Sequence, residues 1–232
     1  MGSPAVTESA PTVRERPILF SAPMVRALLD GRKTVTRRVL KPQPADIEFW
    51  LGGQPSNSRE GHPVMRDATG KGWSACGPFT CPYGPPGSRL WVRETFGVLT
   101  GAGRRVVYRA DGEPEQSFYP GEPIPGMKWT PSIHMPRWAS RLTLEVVSVR
   151  AERLHDITEE DAVREGVERW SIGDGWQEYG LSDAELLTQG PPMPTARESF
   201  RTLWESINGP ESWDANPWVW AISFRKVEVV RG

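Results

Sequence analysis

Two segments in which every second residue is apolar constrain the fold of this chain more than any other feature. The apolar positions are Leu142, Leu144 and Val146 in the first segment, residues 141–150, and Trp218, Trp220, Ile222 and Phe224 in the second, which begins near Pro217. Side chains of a β-strand point alternately to its two faces, so this spacing predicts two strands that each bury one face. The aromatic residues of the second segment are therefore expected in the core of a sheet rather than on a ligand-binding surface.

Shorter strands and three helices are expected around these two segments. The further strands are residues 17–20, 34–40, 89–95 and 105–109, of which the last two are predicted to pair as a hairpin at Gly101 and Gly103. A helix is predicted over 22–30, where Ser21 is the N-cap and Gly31 ends it. Two more helices begin at Thr158 and Thr195, each of which starts a capping box. The fold class is therefore α+β, with a mixed sheet or a small β-barrel and helices packed outside it.

Long loops interrupt the predicted elements. Gly and Pro each occur 23 times among the 232 residues, and loop-forming residues dominate three stretches, 42–88, 111–137 and 170–194. These stretches are predicted to be insertions in a single domain that covers residues 17–232. Residues 1–16 are small and polar, lack a hydrophobic period, and are predicted to be a disordered tail.

The overall charge limits the classes of partner. With 28 Lys and Arg against 29 Asp and Glu, the molecule as a whole does not attract nucleic acid, so any such binding has to be local. No apolar run approaches the roughly 18 residues of a membrane-spanning helix, and the N-terminus lacks a signal-peptide pattern. The sequence therefore predicts a cytoplasmic protein without a membrane partner, and it does not determine the oligomeric state.

The two cysteines, Cys76 and Cys81, raise the question of a metal site. His62 and His134 could complete four ligands, but the gap of four residues between the cysteines is loose for zinc and no second closely spaced pair exists. Two loop thiols in a reducing compartment are the simpler interpretation. The sequence also lacks a Gly-rich phosphate loop and a paired-histidine motif, so neither a metal nor another cofactor is predicted.

The densest functional signal is the segment Gly31–Arg38, at the junction between the first helix and a strand. Between residues 26 and 41, six basic residues accompany a single acid, Asp30, in a molecule whose net charge is −1. Such a local field attracts a phosphate or a nucleotide. A solvated charged surface would have the same composition, and the charge alone does not separate the two.

The spacing of Lys33 and Thr36 suggests a further role for this segment. In a straight strand the two side chains would point to opposite faces, about 10 Å apart along the chain. They can meet only if Lys33 still lies in the turn, which Gly31 favours. A lysine desolvated there could act as a base toward the threonine hydroxyl, as in the Ser–Lys variants of acyl-transfer catalysis.

The octapeptide Gly31–Arg38 resembles the Gly-x-Lys-x-x-Thr-x-Arg signature of the ASCH domain, a family with a PUA-like β-barrel that is associated with RNA and modified nucleosides. Residues 18–20, 86–94 and 218–226 resemble the same family. Residues 17–228 are similar to ASCH-like proteins of phages and prophages that carry long insertions. The resemblance implies a PUA-like mixed β-barrel with flanking helices, and a modified nucleoside or RNA as partner.

The resemblance also implies a set of catalytic residues. Small bacterial ASCH amidohydrolases remove acyl groups from the exocyclic amine of acylated cytidines such as N(4)-acetylcytidine, with a Lys, a Thr and a Glu. Lys33 and Thr36 match the first two, as base and nucleophile, and residues 157–165 resemble the family helix that ends in the third, here Glu165. Other ASCH domains are binding modules or nucleases. Amide hydrolysis, non-catalytic RNA binding and a phage-encoded ribonuclease activity are therefore the alternatives.

Four further residues are candidates for substrate binding, namely Arg32, Arg37, Arg38 and Glu94. Arg38 could clamp a phosphate or a base edge, or it could equally tie its strand to a carboxylate. Glu94 ends an apolar strand beside an arginine, and a buried ion pair is its alternative role. For Glu165, the alternative is an exposed acid at the end of a helix.

Overall fold

A mixed α+β arrangement is present in the computed structural model, which describes residues 15–41, 43–44, 46–49, 63–66, 81–100, 104–112, 127–170, 173–181 and 193–227. The strands are β1 (Glu15–Leu19), β2 (Val35–Val39), β3 (Asp46–Phe49), β4 (Pro63–Arg66), β5 (Arg89–Arg93), β6 (Phe96–Thr100), β7 (Arg104–Tyr108), β8 (Thr143–Arg153) and β9 (Trp218–Val227). The α-helices of the described residues are α1 (Ala22–Leu29), α2 (Glu159–Arg164) and α3 (Ala196–Asn208). The predicted α+β class is confirmed.

Five of the strands form one sheet in the order β1-β5-β8-β9-β2. Strands β1 and β5 are parallel, and every other pair in this sheet is antiparallel. Although β1 and β2 form opposite edges, the Arg38 side chain of β2 donates a hydrogen bond to the Leu19 carbonyl of β1. The sheet therefore curves until its edges are one side chain apart, but no backbone ladder within the described residues closes it into a barrel.

The two longest strands, β8 and β9, are those predicted from the alternating segments. Leu144, Ile222 and Phe224 are buried as the pattern requires. A β-bulge between Val146 and Ser148 shifts the register of β8 against β9. Because an extra residue moves later side chains to the other face, Val149 packs against the same core as Leu144, whereas strict alternation had placed it on the opposite face.

The sheet separates two hydrophobic cores. The first, on the face covered by α1, includes Ile18, Val25, Leu90, Leu144 and Ile222. The second includes buried residues from α2, α3 and the outer face of β9, namely Ala162, Phe200, Leu203, Trp204 and Val219. Helix α1 packs on the first core and α2 on the second, and the candidate site lies near the start of β2, where the C-terminal ends of the two helices approach each other.

The helix ends follow the sequence signals closely. Thr158 and Thr195 accept hydrogen bonds from the backbone N–H groups of Asp161 and Glu198, both at 3.1 Å, so both predicted N-caps are present. Ser21 occupies the N-cap position of α1, but its side chain forms no capping hydrogen bond.

Three sequence predictions need correction. Strand β7 pairs with β6 rather than with β5, because Phe96–Thr100 forms a strand that the sequence analysis did not identify. Strand β1 begins at Glu15, two residues inside the predicted disordered tail, whose residues 1–14 lie outside the described part of the chain. The stretch 42–88, predicted to be a loop insertion, is not loop throughout, because it contains the antiparallel pair β3–β4.

Candidate functional site

Lys33 lies in the turn between α1 and β2. This is the position that the sequence analysis requires if the Lys33 and Thr36 side chains are to meet. Strand β2 begins only at Val35, and the Lys33 N–H donates to the Ala27 carbonyl at the end of α1 (3.0 Å). The next residue, Thr34, donates its N–H to the Arg164 carbonyl at the end of α2 (2.9 Å). The backbone itself therefore brings the end of α2 to the start of β2, although the two are about 130 residues apart in sequence.

Lys33 and Glu165 form a buried ion pair. The Lys33 ammonium donates to the Glu165 carboxylate (2.8 Å) and to the Glu165 backbone carbonyl (2.7 Å). Their side chains are 0% and 2% exposed, so Glu165 is not the exposed helix-end acid of the alternative interpretation. Burial lowers the pKa of Lys33, and the nearby charge of Glu165 opposes this shift.

Glu165 is also one of three carboxylates around Arg37. The Arg37 guanidinium contacts Glu165 (3.3 Å), Glu152 of β8 (2.6 Å) and Asp161 of α2 (2.7 Å), and its side chain is fully buried. Arg150 adds a second cation to Glu152 and Asp161 from the exposed side. The sequence predicts Arg37 as a substrate ligand, but in the structure its guanidinium binds three protein carboxylates and fixes α2 on the sheet.

Thr36 and Glu165 line a common cavity of about 780 Å³ beside the edge of β2. Thr36 is 2% exposed, and its hydroxyl forms no hydrogen bond within the described residues. Both of the Lys33 ammonium contacts go to Glu165, so the structure does not contain a Lys33–Thr36 hydrogen bond. The cavity volume is in the range typical of small-molecule sites.

The cavity wall combines aromatic surface with unsatisfied polar atoms. The wall is lined by Met24, Thr36, Arg37, Arg38, Val39, Lys41, Pro82, Tyr83, Glu165, Phe200, Leu203, Trp204, Ile207, Asn208, Ser212, Ala215, Pro217 and Trp220. In the described part of the chain, four buried side-chain polar atoms lack a partner, and three of them belong to wall residues: Arg38 Nε, Trp204 Nε1 and Ser212 Oγ. Buried polar groups without partners are costly, and their concentration here is typical of a binding site.

The edge of β2 supplies further polar groups to the cavity. Hydrogen bonds join Thr34 to Phe224 and Leu40 to Trp218, which fixes the alternation of the β2–β9 ladder. The peptide groups of the odd-numbered residues Arg37 and Val39 must then point away from β9. Both residues line the cavity, so its occupant can hydrogen-bond to an unpaired strand edge.

The other three predicted site residues lie in different surroundings. Arg32 is exposed and pairs with Asp30 and Glu168, outside the cavity. Arg38 lines the cavity, and its guanidinium carbon lies 5.3 Å from the centre of the Phe20 ring. Glu94 is 1% exposed and does not line the cavity.

Glu94 belongs to a separate buried ion pair. Both of its carboxylate oxygens accept from the Arg141 guanidinium, at 2.9 and 3.0 Å, and Asp111 binds the same arginine. Burial raises the pKa of Glu94, against the effect of Arg141. Glu94 thus forms the buried ion pair of its alternative role, and the partner is Arg141.

Sequence reasoning missed several residues of the site. Asp161 and Glu152 are charged partners of Arg37, and Trp204 and Ser212 are cavity-wall residues. Asp161 had a usable signal, because it lies four residues before Glu165 and so on the same side of a helix. The others come from distant segments and gave no signal in the sequence.

The described residues were also compared with the requirements of a metal site and of a membrane-spanning helix. They contain no group of three or more His, Cys, Asp or Glu side chains arranged to hold a metal ion. Cys81 is partly buried, and burial raises the pKa of its thiol, whereas Cys76 lies outside the described residues. Within the same residues, every helix is too short or too polar to cross a membrane.

The sequence matches no protein-family model, no curated protein and no solved structure. The likeness to the ASCH domain therefore depends on the segments that carry it, and functional argument depends on the geometry of the site.

Proposed function

We propose that the chain is an ASCH-type, PUA-like domain that recognises a modified nucleoside or nucleotide in the β2 cavity and hydrolyses an acyl group from the amine of an acylated cytidine. The observation that carries the proposal is the buried Lys33–Glu165 pair together with buried Thr36, whose hydroxyl has no hydrogen-bond partner among the described residues. Thr36 and Glu165 line the same cavity. These are the three residues that the family resemblance selects, from segments about 130 residues apart.

The proposed reaction is nucleophilic acyl transfer. The Thr36 oxygen attacks the acyl carbonyl carbon, and neutral Lys33 accepts the hydroxyl proton. The bond between carbonyl carbon and exocyclic nitrogen then breaks, and the amine leaves with the proton returned by Lys33. Water hydrolyses the Thr36 ester, releases the carboxylic acid and restores the hydroxyl. Burial favours this role because it lowers the pKa of Lys33 and so increases the neutral fraction of the base.

The cavity suits a planar ligand rich in hydrogen-bond acceptors. Its walls include Tyr83, Phe200, Trp204 and Trp220, which can contact an aromatic ring. Its unpaired side-chain atoms include two N–H donors, Arg38 Nε and Trp204 Nε1, and the outward peptide groups of β2 add both N–H donors and C=O acceptors. An acyl oxygen or a base carbonyl would satisfy those donors, and Arg38 can stabilise the charge that develops on the acyl oxygen.

A non-catalytic nucleotide-binding module is the second candidate, because one observation favours it. Both Lys33 contacts go to Glu165, and no base among the described residues is hydrogen-bonded to the Thr36 hydroxyl. A binding module would use the same cavity and would not need an activated hydroxyl.

The test is a chromatographic hydrolysis assay on a panel of N(4)-acylated cytidines, with the variants Thr36→Val and Thr36→Ser. Valine keeps the shape of threonine and removes only the hydroxyl, whereas serine keeps the hydroxyl. We expect turnover by the wild type, a loss of about 10³-fold or more in Thr36→Val, and substantial activity in Thr36→Ser.

Binding of cytidine, measured by calorimetry, separates the two candidates. Binding without turnover by the folded wild type would contradict the hydrolase and support the binding module. Equal turnover by Thr36→Val and the wild type would exclude Thr36 as the nucleophile. Absence of both binding and turnover would reject the cavity as a cytidine site.

A further inference from the structure

A row of alternating arginine and tryptophan side chains crosses the surface from β5 toward the β6–β7 hairpin. We call it the Arg–Trp ladder, and it consists of Arg93, Trp91, Arg137, Trp138 and Arg104. The guanidinium carbons of Arg93 and Arg137 lie 5.0 and 6.0 Å from the centre of the Trp91 ring. The guanidinium carbon of Arg104 lies 4.5 Å from the centre of the Trp138 ring. Arg137 and Trp138 are chain neighbours, so the two stacks are linked through adjacent residues of the chain.

The ladder is held in place by the protein beneath it. The Arg93 guanidinium donates to the Met135 carbonyl (3.0 Å), and Met135 is fully buried in a small core with Phe96 and Ala139. The Tyr108 hydroxyl donates to the Ala139 carbonyl (2.9 Å), which fixes the segment carrying Trp138 on the hairpin. The rings are therefore positioned before any ligand arrives, which reduces the entropic cost of binding.

The ladder carries excess positive charge and is exposed at Trp138 and Arg104, whereas Trp91, Arg93 and Arg137 are half-buried. Trp138 is 56% exposed, and nearby Ile133 is 57% exposed. Arg137 pairs with Glu15 (2.7 Å), but Arg93 and Arg104 form no ion pair within the described residues. Three arginines with one carboxylate stand out on a molecule whose net charge is −1. None of the five ladder residues lines the β2 cavity, so this surface is distinct from the proposed hydrolytic site.

We infer that the Arg–Trp ladder binds single-stranded nucleic acid. The exposed indole of Trp138 and the half-buried indole of Trp91 provide stacking surfaces for unpaired bases, and the neighbouring guanidinium groups can contact the phosphates between them. A base-paired duplex hides its base faces, so it would use the charges of the ladder but not its rings. An acidic peptide would likewise use the charges and leave both indoles uncovered.

The test measures binding of a fluorescently labelled twelve-nucleotide oligouridylate to the full chain, by polarisation at two or more salt concentrations. We expect Trp138→Ala to weaken binding by about ten-fold, the range for loss of one base–aromatic stack, and Trp138→Phe to retain most of the affinity. Arg104→Ala should weaken binding and lower the slope of log affinity against log salt by about 0.7, as expected for one lost phosphate contact on a single strand.

Matched controls make the result decisive. Arg26→Ala removes an exposed arginine of α1, and Val163→Ala removes an apolar side chain that is 39% exposed on α2 and does not line the β2 cavity; neither should affect binding. Thr36→Val should also leave oligonucleotide binding unchanged, so failure of the hydrolase proposal and failure of this inference give different results. No measurable binding, losses in the controls equal to those of the ladder variants, or tighter binding of a duplex than of the single strand would overturn the inference.

Discussion

Adjacent residues of β2 have opposite roles because neighbouring side chains of a strand point to opposite faces. Arg37 points toward α2 and binds Glu152, Asp161 and Glu165. Arg38 points toward the other edge of the sheet, where it contacts Phe20 and the Leu19 carbonyl. The charges of three carboxylates around a buried guanidinium keep the pKa of Arg37 raised despite its burial. Arg37 therefore holds the site together, whereas Arg38 remains accessible to a ligand.

Replacement of Arg37 should be costly for stability. We expect Arg37→Met to reduce the free energy of unfolding by about 3–5 kcal/mol, because it leaves three carboxylates without their shared buried cation. Arg32→Met is the matched control, since Arg32 also pairs with two carboxylates but its side chain is 40% exposed, and a loss of at most about 1 kcal/mol is expected. Urea unfolding of the two variants and the wild type measures both values. Similar small losses in both variants would show that the Arg37 contacts contribute little.

The sequence could predict the position of Lys33 but not its partner. Gly31 at the helix end, with a φ of +75°, and the β-branched residues from Thr34 onward place Lys33 in the turn by local rules alone. The pairing with Glu165 required the family resemblance, because only tertiary packing brings the end of α2 to that turn. The same limit explains Arg37, whose carboxylate partners come from β8 and α2.

At the scale of elements, α2 depends on the glycine that follows it. Gly166 has a φ of +90°, and a Cβ atom added there would lie 2.9 Å from the Ala27 Cβ and 3.0 Å from the Lys33 Cβ. Gly166 therefore permits both the turn after α2 and its close approach to α1 and Lys33. Its neighbour Glu165 reaches the Lys33 ammonium because nothing larger separates the two backbones.

Substitution of the two helix-terminal glycines should separate backbone strain from steric contact. Both Gly31 and Gly166 have positive φ, so alanine should cost about 1–2 kcal/mol at either position. No atom lies within 4 Å of a Cβ at Gly31, whereas Gly166→Ala adds a clash that should cost about 1–3 kcal/mol more. Thermal unfolding monitored by circular dichroism compares the two variants. A loss in Gly166→Ala no larger than that in Gly31→Ala would mean that α2 moves away without cost.

Elements with strong local signals were predicted well, and elements defined by their partners were not. Strands β8 and β9 and the N-caps at Thr158 and Thr195 follow from periodicity and capping residues. Strand β6 is short and includes Gly97, which has low strand propensity, and it exists because it pairs with β7. Local sequence cannot show that pairing.

At the scale of the whole molecule, the curved sheet brings its two edges together through a side chain. Strands β1 and β2 are consecutive in the chain, yet β5, β8 and β9 lie between them in the sheet. The Arg38 hydrogen bond to the Leu19 carbonyl spans the remaining gap. The cavity lies beside this gap, on the unpaired edge of β2. The curvature of the sheet therefore leaves the edge of β2 unpaired inside a cavity. The free peptide groups of that edge are then available to bind a ligand.

If Arg38 links the sheet edges, its removal should loosen β1 selectively. Loss of one hydrogen bond in Arg38→Met should lower the local opening free energy at β1 by about 1 kcal/mol, which corresponds to roughly five-fold faster amide exchange. The Phe20 amide, bonded to the Arg93 carbonyl, is the expected reporter, while amides of β8 and β9 should exchange at wild-type rates. Arg225→Met is the control, because Arg225 joins the adjacent strands β9 and β8 through Glu145 at an exposed position. Hydrogen exchange, followed by mass spectrometry or NMR, compares the two variants with the wild type. If amide exchange became faster uniformly across the sheet, or did not become faster at β1, Arg38 would not connect the edges.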